Sequence, residues 1–324
     1  MIYPFTEISM RAARDQSWLV AIAASLWGVS AIWRSPLAQE YPSVTVAFWE
    51  HVVLVLMIAP WVLPAVRRLG STTARTQLSV IIIGAGSSAL ATVLFTAAFR
   101  VGDPITPQVL QKMQPLIAIA LSAIVLREHI RPKFAAFALP ALLGAWMLAF
   151  PDPLVTTVQS AQAALLATGA ASLWAAGTVL GRLASAVLNS RDLLVLRFTI
   201  GLITLGAVAG LTSTPLSLRW SAVPSIVPLA AISGLLALSL YYRALARTPA
   251  SRATLAELAF PLTAAAVGLW LLDARLSSTQ WIGFAILLVT ISSLIIHENR
   301  SPRPAVAVAS RASEAVPAVE SHTG

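Results

Sequence analysis

Ala24-Ser25-Leu26-Trp27 recurs as Ala171-Ser172-Leu173-Trp174, 147 positions further on. The same spacing joins Glu50 to Arg197. Beyond that it shortens by one residue: Phe95 meets Tyr241, Ala98 meets Ala244, Pro115 meets Pro261 and Leu126 meets Leu272. The matches tie two apolar stretches together position by position, so the chain reads as one unit written twice. Duplicated units of matched hydropathy are a common construction of secondary transporters.

Composition places both copies in a lipid environment. The chain has 324 residues, of which 57% are hydrophobic and 11% charged, with a mean hydropathy of +0.80. Ordinary soluble domains carry about 25% charged residues. The net charge of +9 does not point to nucleic acid, because the basic residues lie between apolar runs rather than on one face. With no cysteine there is no disulfide, thiol catalysis or thiolate metal site. No cofactor and no metal centre are expected.

A membrane-spanning helix needs about 20 predominantly apolar residues. Ten segments meet this: 17–36, 43–64, 77–99, 104–126, 132–150, 160–182, 191–211, 223–245, 249–272 and 279–297. The first is too long for a signal-peptide core and reads as a retained helix. Residues 1–16 form an N-terminal tail, 151–159 a linker, and 298–324 a Pro- and Ala-rich tail read as disordered. The prolines at 60, 64, 151 and 153 read as helix ends.

Of the 22 Lys and Arg residues, two (Lys112, Arg197) fall in the interior of spans, and the others lie in tails, in connections or within a few residues of a span end. Four (Arg34, Arg100, Arg219, Arg275) fall on one side and the remaining 16 on the other. The basic side is cytosolic, which puts both termini inside. Each copy holds five helices, an odd number, so the second enters the membrane upside down. The fold expected is all-α and integral to the membrane: ten helices as two inverted five-helix repeats, 17–150 and 160–297. Such halves support inward- and outward-open states of similar energy.

Ionisable groups within the bilayer are costly and mark functional candidates. Glu50, His51, Lys112, Arg197 and Glu257 qualify. Thr254, Glu257 and Pro261 share one helix face, and Gln108, Gln111, Lys112 and Pro115 form the matching stripe. Each proline leaves the carbonyl four residues earlier, on Gln111 and on Glu257, without its usual partner. These polar groups line a cavity, or Lys112 pairs with Glu257 or Glu50 to lock packing. Glu50 either binds and releases a proton or pairs with Arg197, its repeat mate. Trp27 and Trp174 stand as aromatic walls, with Phe95, Phe99, Tyr241 and Tyr242 near them. Substrate-binding candidates are therefore Trp27, Gln108, Gln111, Lys112, Trp174, Thr254 and Glu257. Candidates for proton coupling or charge pairing are Glu50, Arg197 and Glu257. Gly206 and Gly210 form a GxxxG suited to close helix packing.

The strings Leu126-Arg-Glu128-His-Ile130 and Ala244-Leu-Ala-Arg-Thr-Pro249-Ala, the latter followed by Glu257 and Pro261, resemble the EamA-type repeat of the drug/metabolite transporter superfamily. The segments around Trp27-Gly28 and Trp174 resemble it too, so the likeness covers about 17–297. It implies ten helices in a bacterial inner membrane and a central cavity bounded by helices 1, 3, 4 and 6, 8, 9. Members are mostly exporters of amino acids, other metabolites or toxic compounds. Two departures stand out: Ala274 replaces in the second half the acid that Glu128 supplies in the first, and Glu50 stands where the family usually has Arg.

The expected function is export of small organic metabolites, amino acids among the candidates, by alternating access. Its partners would be the substrate and the lipid bilayer, with protons as an open choice of drive. Efflux of drugs or cations is the alternative, followed by a membrane-embedded enzyme or lipid scramblase. No HExxH, GxSxG or GxxxxGK[ST] string supports an enzyme or ATP drive.

Overall fold

The computed structural model describes residues 16–125, 134–150, 152, 154, 157–245, 256, 257 and 259–300, and these are helical apart from short turns. Residues 1–15 and 301–324, the basic loop around Glu128, Pro151, Pro153 and Thr254 lie outside the described residues, while 298–300, read as the start of a disordered tail, are the end of the last helix. In the first half, α1 covers Trp18–Glu40, α2 Ser43–Gly70 and α3 Ala74–Val101. α4 is built from Thr106–Leu110, Gln111–Met113 and Gln114–Val125, and α5 is Phe134–Ala149. In the second half, α6 is Val158–Ala184 and α7 Ser190–Leu211. α8 joins Trp220–Ala222, Val223–Pro228, Leu229–Leu236 and Ala237–Leu245; α9 is Ala259–Leu271 and α10 Ser278–Arg300. Six of these, α1 to α3 and α6 to α8, are long and apolar enough to cross a membrane. Their outward faces carry Leu56, Leu165, Ile203 and Leu211, all well exposed. A surface of this kind is stable against hydrocarbon rather than water.

The turns follow from local chemistry. Tyr41 is extended because Pro42 follows it, and this ends α1 and starts α2. Thr73, Thr157 and Asn189 cap α3, α6 and α7 by accepting from the N–H three residues on. Pro60 and Pro64 do not end α2, which continues to Gly70. A membrane helix tolerates proline where neighbouring helices and local adjustment absorb the lost bond.

α3 and α8 each contain a π-helical segment, Ile83–Leu90 and Leu229–Leu236. Both bounds differ by 146, so the distortion is part of the repeat. Hydropathy carries no signal for it, because an inserted residue changes hydrogen-bond register and not polarity. Proline is handled twice in one way as well. Gln114 N–H bonds to Gln111 O and Phe260 N–H to Glu257 O, again 146 apart. The two carbonyls expected to be orphaned are therefore satisfied by tight i→i+3 bonds.

Contacts between halves recur with roles exchanged. Thr45 Oγ1 donates to Pro215 O at 2.8 Å. Their repeat mates, Asp192 and Arg68, form a bidentate ion pair at the other end of α2. This exchange is the mark of two halves related by an approximate two-fold axis, here running between α2 and α7. Near it His51 and its mate Phe198 stack edge to face, 5.8 Å apart. Close crossings use small residues elsewhere than expected. A Cβ on Gly144 of α5 would meet Gly283 O of α10 at 2.9 Å, and one on Gly28 of α1 would meet Phe260 O at 2.7 Å. Gly206 has Phe48 at an ordinary 3.7 Å and Gly210 has nothing within 4 Å, so the GxxxG of α7 makes no tight crossing within the chain.

Candidate functional site

α1 contributes Trp27 and α8 Tyr241, with ring centroids 5.2 Å apart and planes tilted by 50°. The Tyr241 hydroxyl donates to Glu257 Oε1 at 2.6 Å. Lys112 Nζ lies 4.0 Å from Glu257 Oε2 and 4.8 Å from the centroid of the Phe260 ring. Helices of both halves thus meet at one acid, one base and three aromatic rings. The Lys112 and Glu257 side chains remain 15% and 23% exposed. Of the residues singled out in the sequence, the fold brings Trp27, Lys112 and Glu257 together; Tyr241, which joins them, was read there only as a wall.

This wall has a repeat mate. Trp174 of α6 packs on Phe95 of α3 at 5.1 Å, and Phe95 on Phe99 at 5.1 Å. Gln111 is half-buried on the tight turn of α4. Gln114, one turn on, donates to Thr178 Oγ1 at 3.3 Å, and Thr178 donates to Trp174 O. Gln108 is fully buried and bonds to Pro104 O within its own turn.

Glu50 is placed differently from expectation. It does not pair with Arg197. Arg34 of α1 donates from Nη2 to both Glu50 oxygens, at 2.8 and 3.0 Å, and from Nη1 to Thr96 Oγ1 at 2.7 Å. The two side chains are 6% and 7% exposed, and the guanidinium stacks 5.7 Å from the Phe95 ring. Arg197 instead donates to Ser87 O at 3.3 Å and lies 6.0 Å from the Phe198 ring. In the sequence Arg34 counts with the outside cations because it stands two residues from the expected end of the span at 36, whereas α1 runs to Glu40 and buries it. The i, i+7 spacing already puts Arg34 on the helix face of Trp27, but spacing within one helix does not name Glu50 of the next helix as its partner.

His51 is buried with Nδ1 2.9 Å from Ala47 O and Nε2 2.9 Å from Ser88 Oγ. A carbonyl only accepts, so Nδ1 carries the hydrogen and Nε2 accepts from the serine. That is a satisfied packing role.

Chemically, the Trp27–Tyr241–Glu257–Lys112 cluster offers a cation and an anion beside apolar rings. It can hold opposite charges of one small molecule at separate points. In the sealed Arg34–Glu50 pair both carboxylate oxygens already accept from one guanidinium.

The EamA-like transporter family model matches residues 17–150 and again 161–296. A riboflavin transporter, ImpX, of Fusobacterium nucleatum is 27% identical over 286 residues, covering 84% of this chain and 94% of that protein. An uncharacterized transporter, YwfM, of Bacillus subtilis is 27% identical over 199 residues, 60% of this chain and 65% of that one. A solved crystal structure superposes with a TM-score of 0.54 at 20% identity, over 86% of this chain and 99% of its own, which establishes likeness of fold. Two matched repeats over most of the chain place it: this protein belongs to the EamA-like transporter family and is a multi-pass membrane protein.

Proposed function

We propose that the chain is a secondary transporter that exports small organic metabolites by alternating access. In this reading ten spans form two inverted halves, 17–150 and 160–297, in a bacterial inner membrane with both termini cytoplasmic. The 16-to-4 partition of basic residues supports that orientation.

The observation that carries the proposal is the Lys112–Glu257 contact between halves, 4.0 Å long and partly open. It is long for a charge-assisted hydrogen bond, which runs to about 2.9 Å. A zwitterion can therefore displace it, its carboxylate on Lys112 and its ammonium on Glu257, with its apolar part against Trp27 and Tyr241. Amino acids fit this description, and Lys112 disfavours a purely cationic cargo. Where protons drive the cycle, Glu257 is the carrier, because both Glu50 oxygens are engaged by Arg34 and closed off from solvent. A second reading comes from ImpX, named as a riboflavin transporter: a flavin would use the same aromatic rings through its fused ring system.

Flux into proteoliposomes tests both. Labelled amino acids and riboflavin are compared with and without an imposed pH gradient. Saturable zwitterion flux that is lost in Lys112→Ala and Glu257→Gln, with folded protein retained, supports the first reading. Riboflavin flux alone selects the second. Normal flux in both variants removes this cluster from the substrate path.

A further inference from the structure

Several hydroxyls within these helices bond backwards along their own chain. Ser79 donates to Arg75 O, Ser172 to Thr168 O and Ser292 to Leu288 O, each about one turn earlier. Ser87 and Ser233 instead cross to a backbone carbonyl of the other half. Ser87 Oγ donates to Leu173 O at 2.5 Å, and Ser233 Oγ donates to Leu26 O at 3.2 Å. Both serines are buried.

Ser87 and Ser233 are repeat mates, and so are Leu26 and Leu173. Each serine therefore reaches from its own half to the other half's carbonyl, directly before Trp27 or Trp174. Each also sits within one of the two matched π-helical segments of α3 and α8. Such segments concentrate at functional positions, because the inserted residue displaces the helix face. The bonds span α3 to α6 and α8 to α1, the four helices that carry the two aromatic pairs.

The two bonds are unequal, and the sequence shows why. A Cβ on Gly177 would lie 1.9 Å from Ser87 Oγ, so α6 comes this close to α3 only because that residue is glycine. The repeat mate of Gly177 is Ser30. The second crossing carries a side chain where the first has a notch, and its hydrogen bond is the longer.

We propose that Ser87 and Ser233 are opposed positioning residues of the transport cycle, the Ser87 bond holding the access state seen here and the Ser233 bond holding the opposite one. The inference rests on the alternating-access reading above. Two halves related by an approximate two-fold axis exchange conformations between access states. The crossing that is tight in one half then loosens as its mate tightens. A hydroxyl bond within a membrane is weak enough to be exchanged on every cycle, worth on average about threefold in an equilibrium.

The chain has no cysteine, so a single reporter, Thr178→Cys beside Trp174, labels without background. A membrane-impermeant maleimide is applied from each face of oriented vesicles, and the ratio of the two rates reads the access equilibrium. Ser87→Ala should move that ratio about threefold in one direction and Ser233→Ala about threefold in the other. The double variant should return close to the starting ratio, and Ser233→Thr, which keeps the hydroxyl, should leave it unmoved. Shifts of the same sign, or no shift in proteins of unchanged melting temperature, overturn the pairing of the serines while leaving the transporter reading intact. Labelling of the parent from one face only overturns alternating access and the proposal with it.

Discussion

Trp27–Tyr241 and Trp174–Phe95 are the same object built twice, with centroid separations of 5.2 and 5.1 Å. What stands behind them differs. Behind Tyr241 a hydroxyl reaches Glu257, and Lys112 stands 4.0 Å beyond, both charges partly accessible. Behind Phe95 lies Arg34, clamped on Glu50 and Thr96 and closed off from solvent. The pairs are not copies of one another, since the mate of Glu257 is Gln111, that of Glu50 is Arg197 and that of Arg34 is Gly181. Duplication preserved the aromatic frame and let charge diverge upon it. One wall became a sealed strut joining α1, α2 and α3, and the other keeps an acid and a base partly open.

Removing the carboxylate of the sealed wall should have the largest effect on stability. In Glu50→Gln the Arg34 guanidinium is left buried without its counter-ion. Breaking a buried pair in this way costs about 3–5 kcal/mol. Thermal unfolding in detergent should show a large drop, and Arg34→Met with Glu50→Leu should recover much of it. Unchanged stability with transport lost would make Glu50 a working carboxylate and erase the contrast between the walls.

The open wall should respond in the other way. Lys112→Ala and Glu257→Gln should unfold within a few degrees of the parent while kcat/KM for the cargo falls by about a hundredfold, the scale of losing one partner of a charge contact. A melting temperature that falls as far as in Glu50→Gln would show a second strut instead of a binding site.

Much of this frame was legible because a duplication is visible as a constant offset, and apolar length with basic flanks dictates helices. Spacing picked out the Trp pair, and the cost of charge in lipid marked Lys112 and Glu257, while leaving Glu257 and Glu50 both open as the partner of Lys112. What escaped was set by three-dimensional neighbours. Arg34 could be assigned to Glu50 only once α1 was known to extend to Glu40. The π-helical segments leave no mark in a hydropathy pattern. Pro60 and Pro64 look like terminators in sequence, but their helix is supported by its neighbours and continues. Gly206 and Gly210 fit a packing motif, yet the tight crossings fall to Gly28, Gly144 and Gly283, whose partners lie far away in the chain.

A milder change converts one wall into the other. Tyr241→Phe reproduces the Phe95 arrangement and removes the hydroxyl that orients Glu257. The loss of one hydrogen bond to a charged group is worth about 1.5–3 kcal/mol. KM should rise about tenfold or more with stability nearly unchanged, and a kcat effect without a KM effect would move Tyr241 from binding to the conformational step. The smallest effect belongs to the most exposed ion pair among the described residues. Arg219 and Glu40 are 3.2 Å apart with side chains 79% and 49% exposed. Water already screens both charges, and exposed pairs contribute about 0–1 kcal/mol. Glu40→Gln should therefore leave unfolding and flux within error of the parent, and the small difference that remains should vanish in high salt. A clear loss of flux would show that this contact between α1 and the loop before α8 closes one face of the protein, which would extend the division of labour from the walls to the membrane surface.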